Sequence, residues 1–370
     1  MKNILFCADG TWNGTSVDED KDGVPDITNV LKLFHLLEGD TTLDSRRMRD
    51  EVEKRLAQGG VTTQLAKYVH GVGDSSNPIM RLLGGVFGSG IIARIVRGYT
   101  FISRNYEEGD RIFIIGFSRG AYTARALAGM ISSTGLLSPA QADLSDKGVA
   151  YSLGIAAWRM YREKAAEQQR DNKTLAGVFA DLISSMPGYA RIPLRKEQLR
   201  AAPVAAVAVW DTVGSLGLPS FDDEGRAVDA FRFADDQLSK NVANGIHAVS
   251  YHERRANFQP TLWQDRDGIK QCRFGGAHAD VGGGYPARES GLSNIALKWM
   301  MGELASLDVA FKEFPADWTM DELAPLHEPW TTGVFAALPH AERPWPAPPH
   351  GLVDHPSLIT RLKAQPVFPF

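Results

Sequence analysis

The sequence predicts an α/β protein with a mostly parallel central sheet, helices on both faces and a helical insertion. Three observations carry that prediction. Short continuous apolar runs alternate with stretches of helical apolar spacing, the pattern of buried parallel strands joined by crossover helices. Each run stops at a polar or glycine-rich turn. Three of those stops carry an Asp, a Ser between glycines and a His, residue types that cooperate in nucleophilic catalysis.

The elements follow in order. Asn3 to Ala8 is a strand closed by Asp9-Gly10-Thr11-Trp12-Asn13, and Thr28 to Leu37 has helical spacing. Lys67 to Val72 reads as a second strand, Ile91 to Tyr106 as a helix, Arg111 to Ile115 as a third strand and Ala121 to Ile131 as the helix after it. Residues 144–200 carry long charged helical patterns and read as a helical insertion or cap. Pro203 to Val209 is a strand ending in Trp210-Asp211-Thr212, and Ile269 to Ala277 is another, ending in His278. Leu292 to Leu304 is an amphipathic helix, and the Pro/Trp-rich residues 330–370 read as a tail wrapping a single domain that spans the chain.

Composition narrows the function classes. The 370 residues are 44% hydrophobic and 23% charged, which fits a globular chain with a sizeable core. A net charge of −4 offers no general attraction for nucleic acid, which is not expected as a partner. Cys7 and Cys272 fall in apolar runs and read as small buried residues. The N-terminus lacks the apolar core of a secretory signal, and Leu82 to Val96, with four glycines and Arg94, falls short of a membrane span. Synthesis in the cytoplasm is therefore expected, with export by a signal-independent system left open. Leu82 to Val96 is read as a packing loop, with a lid or interfacial contact as the alternative.

The stretch Gly116-Phe117-Ser118-Arg119-Gly120, between a strand and a helix, has the form of a nucleophile elbow. The glycines let strand and helix pack closely while the turn lifts the serine hydroxyl clear. The amide of Arg119, at the start of the helix, is placed to donate to a developing oxyanion. Ser118 then needs a base and a carboxylate to orient it. Among nine histidines, His278 follows a strand and precedes a Gly-rich stretch read as a flexible loop. His355 is the alternative base, while His247 and His252 read as helical surface or core residues. Asp211 keeps the chain order Ser, Asp, His, and Asp280 is the alternative acid. Gly10 or Thr11 is the candidate second oxyanion donor, with the Asp9 carboxylate turned away to hold the loop or, alternatively, to bind a cation.

Ala8-Asp9-Gly10-Thr11-Trp12-Asn13, Thr28-Asn29-Val30, Gly71-Val72-Gly73, Gly109-Asp110, Gly116 to Arg125, Trp210-Asp211-Thr212-Val213-Gly214 and His278 to Tyr285 occur in this order. Together they resemble an α/β-hydrolase domain family formerly of unknown function, which includes the type VI secretion phospholipase effectors of the first lipase class. The resemblance covers roughly residues 3 to 300. It implies an α/β-hydrolase-like fold and a serine esterase or phospholipase, and it carries over Ser118 as nucleophile. Asp211 and His278 come from the strand-end reasoning instead.

Two further stretches carry expectations. Asp18, Asp20, Asp22 and Asp26 lie in a near match to a calcium loop whose twelfth position is Asn29 instead of Glu, so weak Ca²⁺ binding stands against an acidic surface turn. Arg125, with Arg119, is a candidate contact for a substrate phosphate, against pairing with carboxylates near the helix. The function expected is hydrolysis of carboxylic esters, foremost acyl esters of phospholipids, through Ser118, His278 and Asp211, with peripheral membrane contact and no required cofactor. The alternatives are a non-catalytic calcium- or partner-binding module and an acyltransferase.

Overall fold

In a computed structural model the described residues are 1–10, 25–42, 51–70, 87–168, 193–213, 220–221, 227–228, 238–337, 339–345 and 351–364. Among these the strands are β1 (Asn3–Ala8), β2 (Asp40–Thr41), β3 (Glu51–Gln58), β4 (Val61–Val69), β5 (Arg111–Phe117), β6 (Leu136–Leu137), β7 (Leu199–Arg200), β8 (Val204–Trp210), β9 (Ser220–Phe221), β10 (Ala227–Val228), β11 (Val242–Ser250), β12 (Ile269–Phe274) and β13 (Leu352–Asp354). The helices are α1 (Asn29–Leu36), α2 (Phe87–Asn105), α3 (Arg119–Thr134), α4 (Lys147–Gln168), α5 (His278–Gly282), α6 (Gly291–Ala305) and α7 (Pro356–Ala364).

One sheet runs in the order β13-β12-β11-β8-β5-β1-β4-β3-β2. From β13 to β4 every pairing is parallel, and β3 and β2 add an antiparallel margin. The fold is thus α/β with a mixed, mostly parallel sheet.

β1 shows why the centre is apolar throughout. It lies between β4 and β5, and all six of its residues are buried. Ile4, Phe6 and Ala8 face one core with residues of α2, α3 and α4, while Leu5 and Cys7 face a second core with α1 and α6. Covering a strand on both faces removes any polar alternation.

Polar groups fix α1 against the second core. Thr28 caps its start by accepting from the Leu31 amide at 3.2 Å. At its other end Lys54, from β3, donates to the carbonyls of Phe34, His35 and Leu37 at 2.8, 2.8 and 3.0 Å, answering acceptors a helix end leaves open.

Several elements differ from expectation. Glu51 to Val69 is a hairpin; its β3 mixes charged with apolar residues in the antiparallel margin of the sheet, so it carries no continuous apolar run. The stretch around His247 is strand β11, and His252 follows it in a loop. In the expected insertion, α4 is described and residues 169–192 lie outside the described residues. Of the expected loop at Leu82 to Val96, residues 87–96 belong to α2. After an extended path, the C-terminal portion adds edge strand β13 and α7. Among the described residues no helix is long and apolar enough to cross a membrane.

Candidate active site

The turn from β5 into α3 is set by steric exclusion. Ser118 has φ 55° and ψ −122°, a backbone conformation that costs a residue bearing a Cβ about 1–3 kcal/mol. Its surroundings impose it. A Cβ on Gly116 would come within 2.3 Å of the Gly120 carbonyl oxygen, and one on Gly120 within 2.0 Å of the Ala8 carbonyl oxygen. Ser118 donates its amide to the Trp210 carbonyl at 3.3 Å, tying the turn to the end of β8, and its own carbonyl accepts from Tyr122 at 3.2 Å.

Asp211 and His278 meet there. His278 Nδ1 lies 2.6 Å from Asp211 Oδ2, with both side chains buried. The imidazole packs between Phe117 and Phe258, at ring-centroid distances of 4.6 and 5.1 Å, and so adjoins the residue before Ser118. Its Nε2 is buried and has no hydrogen-bond partner among the described residues. Burial lowers the His278 pKa against the opposing pull of Asp211, so the ring is neutral with a basic nitrogen available. Burial would raise the Asp211 pKa, but Arg343 and His278 together hold it well below the usual carboxylate range. Instead of preceding a flexible loop, His278 opens the short helix α5, so its ring is held in place.

The loop after β1 is held by its own acid. Asp9 is buried and accepts from the Gly10 amide at 2.6 Å, from Thr28 Oγ1 at 2.8 Å to each oxygen, and from the Tyr68 hydroxyl. Burial raises its pKa to about 6 against these donors. The Gly10 amide, an expected oxyanion donor, is thus directed at Asp9, and the donors around this carboxylate leave it unlike a cation ligand. Arg94 donates to the Asp9 carbonyl at 3.2 Å. At the start of α3 Arg119 is half-buried, and desolvation with Arg94 nearby lowers its pKa to about 9. Its amide occupies the first helical position, where no intrahelical acceptor exists.

Other expected residues lie elsewhere. Arg125 is buried, donates to the Thr261 carbonyl at 2.5 Å and stacks over Trp263, so it braces the core and does not face a substrate phosphate. Asp280 accepts from His327 Nδ1 at 2.6 Å and from the Ala277 and His327 amides, turned away from His278. His355, at the β13 edge, contacts Ser357 Oγ at 2.8 Å and stacks on Phe274. Thr11, Asp18, Asp20 and Asp22 lie outside the described residues, whereas Asp26 is buried. Among the described residues no group of three or more His, Cys, Asp or Glu side chains could hold a metal ion.

Two charged residues around the pair were not found from the sequence. Glu253 accepts from the His278 amide at 3.2 Å and from Arg255, which fixes the start of α5. Arg343 grips Asp211 through Nη1 to Oδ1 at 2.6 Å and Nη2 to Oδ2 at 2.9 Å. A single arginine among prolines and tryptophans carries no sequence signal; only the fold brings it back across the sheet.

A protein of Saccharomyces cerevisiae described as uncharacterized is 28% identical over 275 residues, which are 70% of this chain and 32% of that protein. An uncharacterized protein from Pseudomonas aeruginosa, solved by crystallography, aligns with TM-score 0.46 and 18% identity over 87% of this chain and 49% of its own. The structure of the Tle1 effector bound to the VgrG spike from the type 6 secretion system aligns with TM-score 0.41 and 18% identity, over 79% of this chain and 52% of its own. The chain therefore spans about a third of the curated relative and about half of these solved chains. Residues 2–303 match the family described as type VI secretion system phospholipase effector Tle1-like, catalytic domain, and the chain belongs to that family.

Proposed function

We propose that this chain is a serine hydrolase of an α/β-hydrolase type that cleaves carboxylic esters, with acyl esters of phospholipids as its substrates. The observation that carries the reading is the buried 2.6 Å contact between His278 Nδ1 and Asp211, with Nε2 unpartnered beside the strained Ser118 turn. Membership of a phospholipase effector family supports the substrate class.

In the proposed reaction His278 Nε2 takes the Ser118 hydroxyl proton as Oγ bonds to the ester carbonyl carbon. The charge that develops on the carbonyl oxygen is met by the Arg119 amide, and with the Gly10 amide on Asp9 we assign the second donor to Thr11. The imidazolium, stabilised by Asp211, protonates the leaving alcohol as its C–O bond breaks. Water, deprotonated by His278, then attacks the acyl-enzyme, and Ser118 recovers its proton as the fatty acid leaves. Catalytic contact with lipid at a membrane surface and export by a signal-independent system belong to the same proposal.

A p-nitrophenyl ester and a defined diacyl phospholipid, assayed with wild type and Ser118→Ala, test it. The variant should lose about 10³-fold or more in kcat on both substrates. Equal rates would return the chain to a non-catalytic binding role, and transfer of the acyl group to an alcohol in preference to water would mark an acyltransferase.

A further inference from the structure

We propose that Arg343 is a positioning residue of this site: its guanidinium clamps both oxygens of Asp211 and so presents Oδ2 to His278, which makes the segment 339–345 part of the catalytic apparatus. The inference rests on reading Asp211 and His278 as acid and base.

The geometry is specific to a fork. Asp211 Oδ1 accepts from Arg343 Nη1 at 2.6 Å and from the Ser250 amide at 2.9 Å, while Oδ2 accepts from Arg343 Nη2 at 2.9 Å and from His278 Nδ1 at 2.6 Å. Four partners fill the lone-pair positions of the carboxylate and leave it no rotation that keeps them all. The same two nitrogens also donate to the carbonyls of Ser250 and Phe258, at 2.8 and 2.5 Å, which fixes the guanidinium plane against the end of β11 and the loop that carries the Phe258 ring against His278. The side chains of Arg343 and Asp211 are both 0% exposed, so neither charge has water as a substitute.

The segment that brings Arg343 is itself anchored. Residues Arg255 and His340 form an antiparallel bridge, the Ala341 amide donates to the Arg254 carbonyl at 2.7 Å, and the Ala256 amide donates to the Pro339 carbonyl at 3.0 Å. Trp345 stacks on Tyr251 at 5.7 Å, with the Arg273 guanidinium 4.9 Å from the Trp345 ring and 5.4 Å from the Tyr251 ring. This strap lies beyond residue 303, where the family match ends.

A clamp of this kind has a signature that mere stabilisation lacks. The charged groups facing the pair are Arg343 from the strap and Glu253 and Arg255 from the loop after β11; the titratable His247 on β11, with Arg125 from α3 beside it, is kept neutral by burial, which lowers its pKa to about 3. Removing only the Arg343 charge leaves the Asp211 carboxylate uncompensated, which favours the imidazolium form of His278. Neutral His278 is then reached only at higher pH.

The test compares Arg343→Gln and Arg343→Lys with wild type in the full chain, following kcat, KM and the pH dependence of kcat/KM on a soluble ester. Arg343→Gln should lower kcat about 10²-fold at little-changed KM and move the acid limb up by roughly one pH unit. Arg343→Lys retains the charge but cannot span both oxygens; it should lower kcat about tenfold and leave the limb in place. A folded Arg343→Gln with wild-type kcat and acid limb overturns the proposal. Should that variant fail to fold, a wild-type kcat in Arg343→Lys overturns it equally. Activity surviving in Ser118→Ala and His278→Gln would instead overturn the parent reading, whereas their inactivity beside a fully active Arg343 variant removes the clamp alone.

Discussion

Two histidine–carboxylate pairs are joined through one short helix, α5, which carries His278 as its first residue and Asp280 two residues on, and they do opposite things with the same contact. His278 and His327 each place Nδ1 2.6 Å from an aspartate, Asp211 and Asp280 respectively. His278 keeps Nε2 unpartnered, and its aspartate is shared with Arg343. His327 gives Nε2 to Glu289 at 3.0 Å and lies against Tyr285, so two carboxylates bracket one ring. Burial lowers the pKa of both, but at His327 Asp280 and Glu289 outweigh it and the net shift is upward, while at His278 burial prevails and the shift is downward. A close His–Asp contact therefore does not identify a base; the partner of the second nitrogen and the counter-charge on the aspartate decide whether the ring accepts protons or holds one.

The largest expected effect breaks the comparison by activity. His278→Gln should lower kcat on a p-nitrophenyl ester by about 10³- to 10⁴-fold, whereas His327→Gln should stay within roughly threefold of wild type. Comparable losses from both would mean that the Asp280 pair shares in the chemistry.

A smaller effect concerns stability. His327→Gln gives up two charge-assisted contacts, which join the 327 segment to Asp280 of α5 and to Glu289 just before α6, and should cost about 1–3 kcal/mol in urea unfolding. The raised pKa sets the sign with pH. The stabilisation is fully present below the ordinary imidazole value of about 6.5 and is lost as pH rises through the raised folded value. The gap between wild type and variant should accordingly be widest near pH 6 and narrow towards pH 9, and a gap that widens with pH would contradict a protonated clamp.

The third effect is a displacement of the rate profile. Because the folded pKa of His278 is lowered, the neutral base persists to lower pH, and the acid limb of kcat/KM should lie below about 6.5. A limb well above that value would place the titrating base elsewhere.

The site was legible where chemistry coincides with the end of an apolar strand. Ser118, Asp211 and His278 follow β5, β8 and β12, and the glycines at 116 and 120 mark a steric need that no other residue meets. Asp280, the alternative acid, is only two residues from His278, and in α5 that spacing points the two side chains to different sides. β11 escaped notice because Asn244, Gly245 and His247 interrupt its apolar run; His247 is accommodated inside by accepting from the Thr212 amide at 3.1 Å. Arg343 and the engagement of the Gly10 amide are tertiary facts, set by which loops meet after folding, and no local pattern encodes them.

The Arg343 contact also orders events in time. Asp211 and Arg343 are separated by 132 positions along the chain, and every strand of the sheet from β1 to β12 is synthesised before the arginine. Until that long loop closes, the sheet can pair while its central carboxylate lacks a counter-ion, a costly arrangement that favours hydration or protonation of Asp211. On the proposed reading, docking of the strap is then the step that arms the site: a chain with strands β1 to β12 formed but the strap undocked should be a poor catalyst.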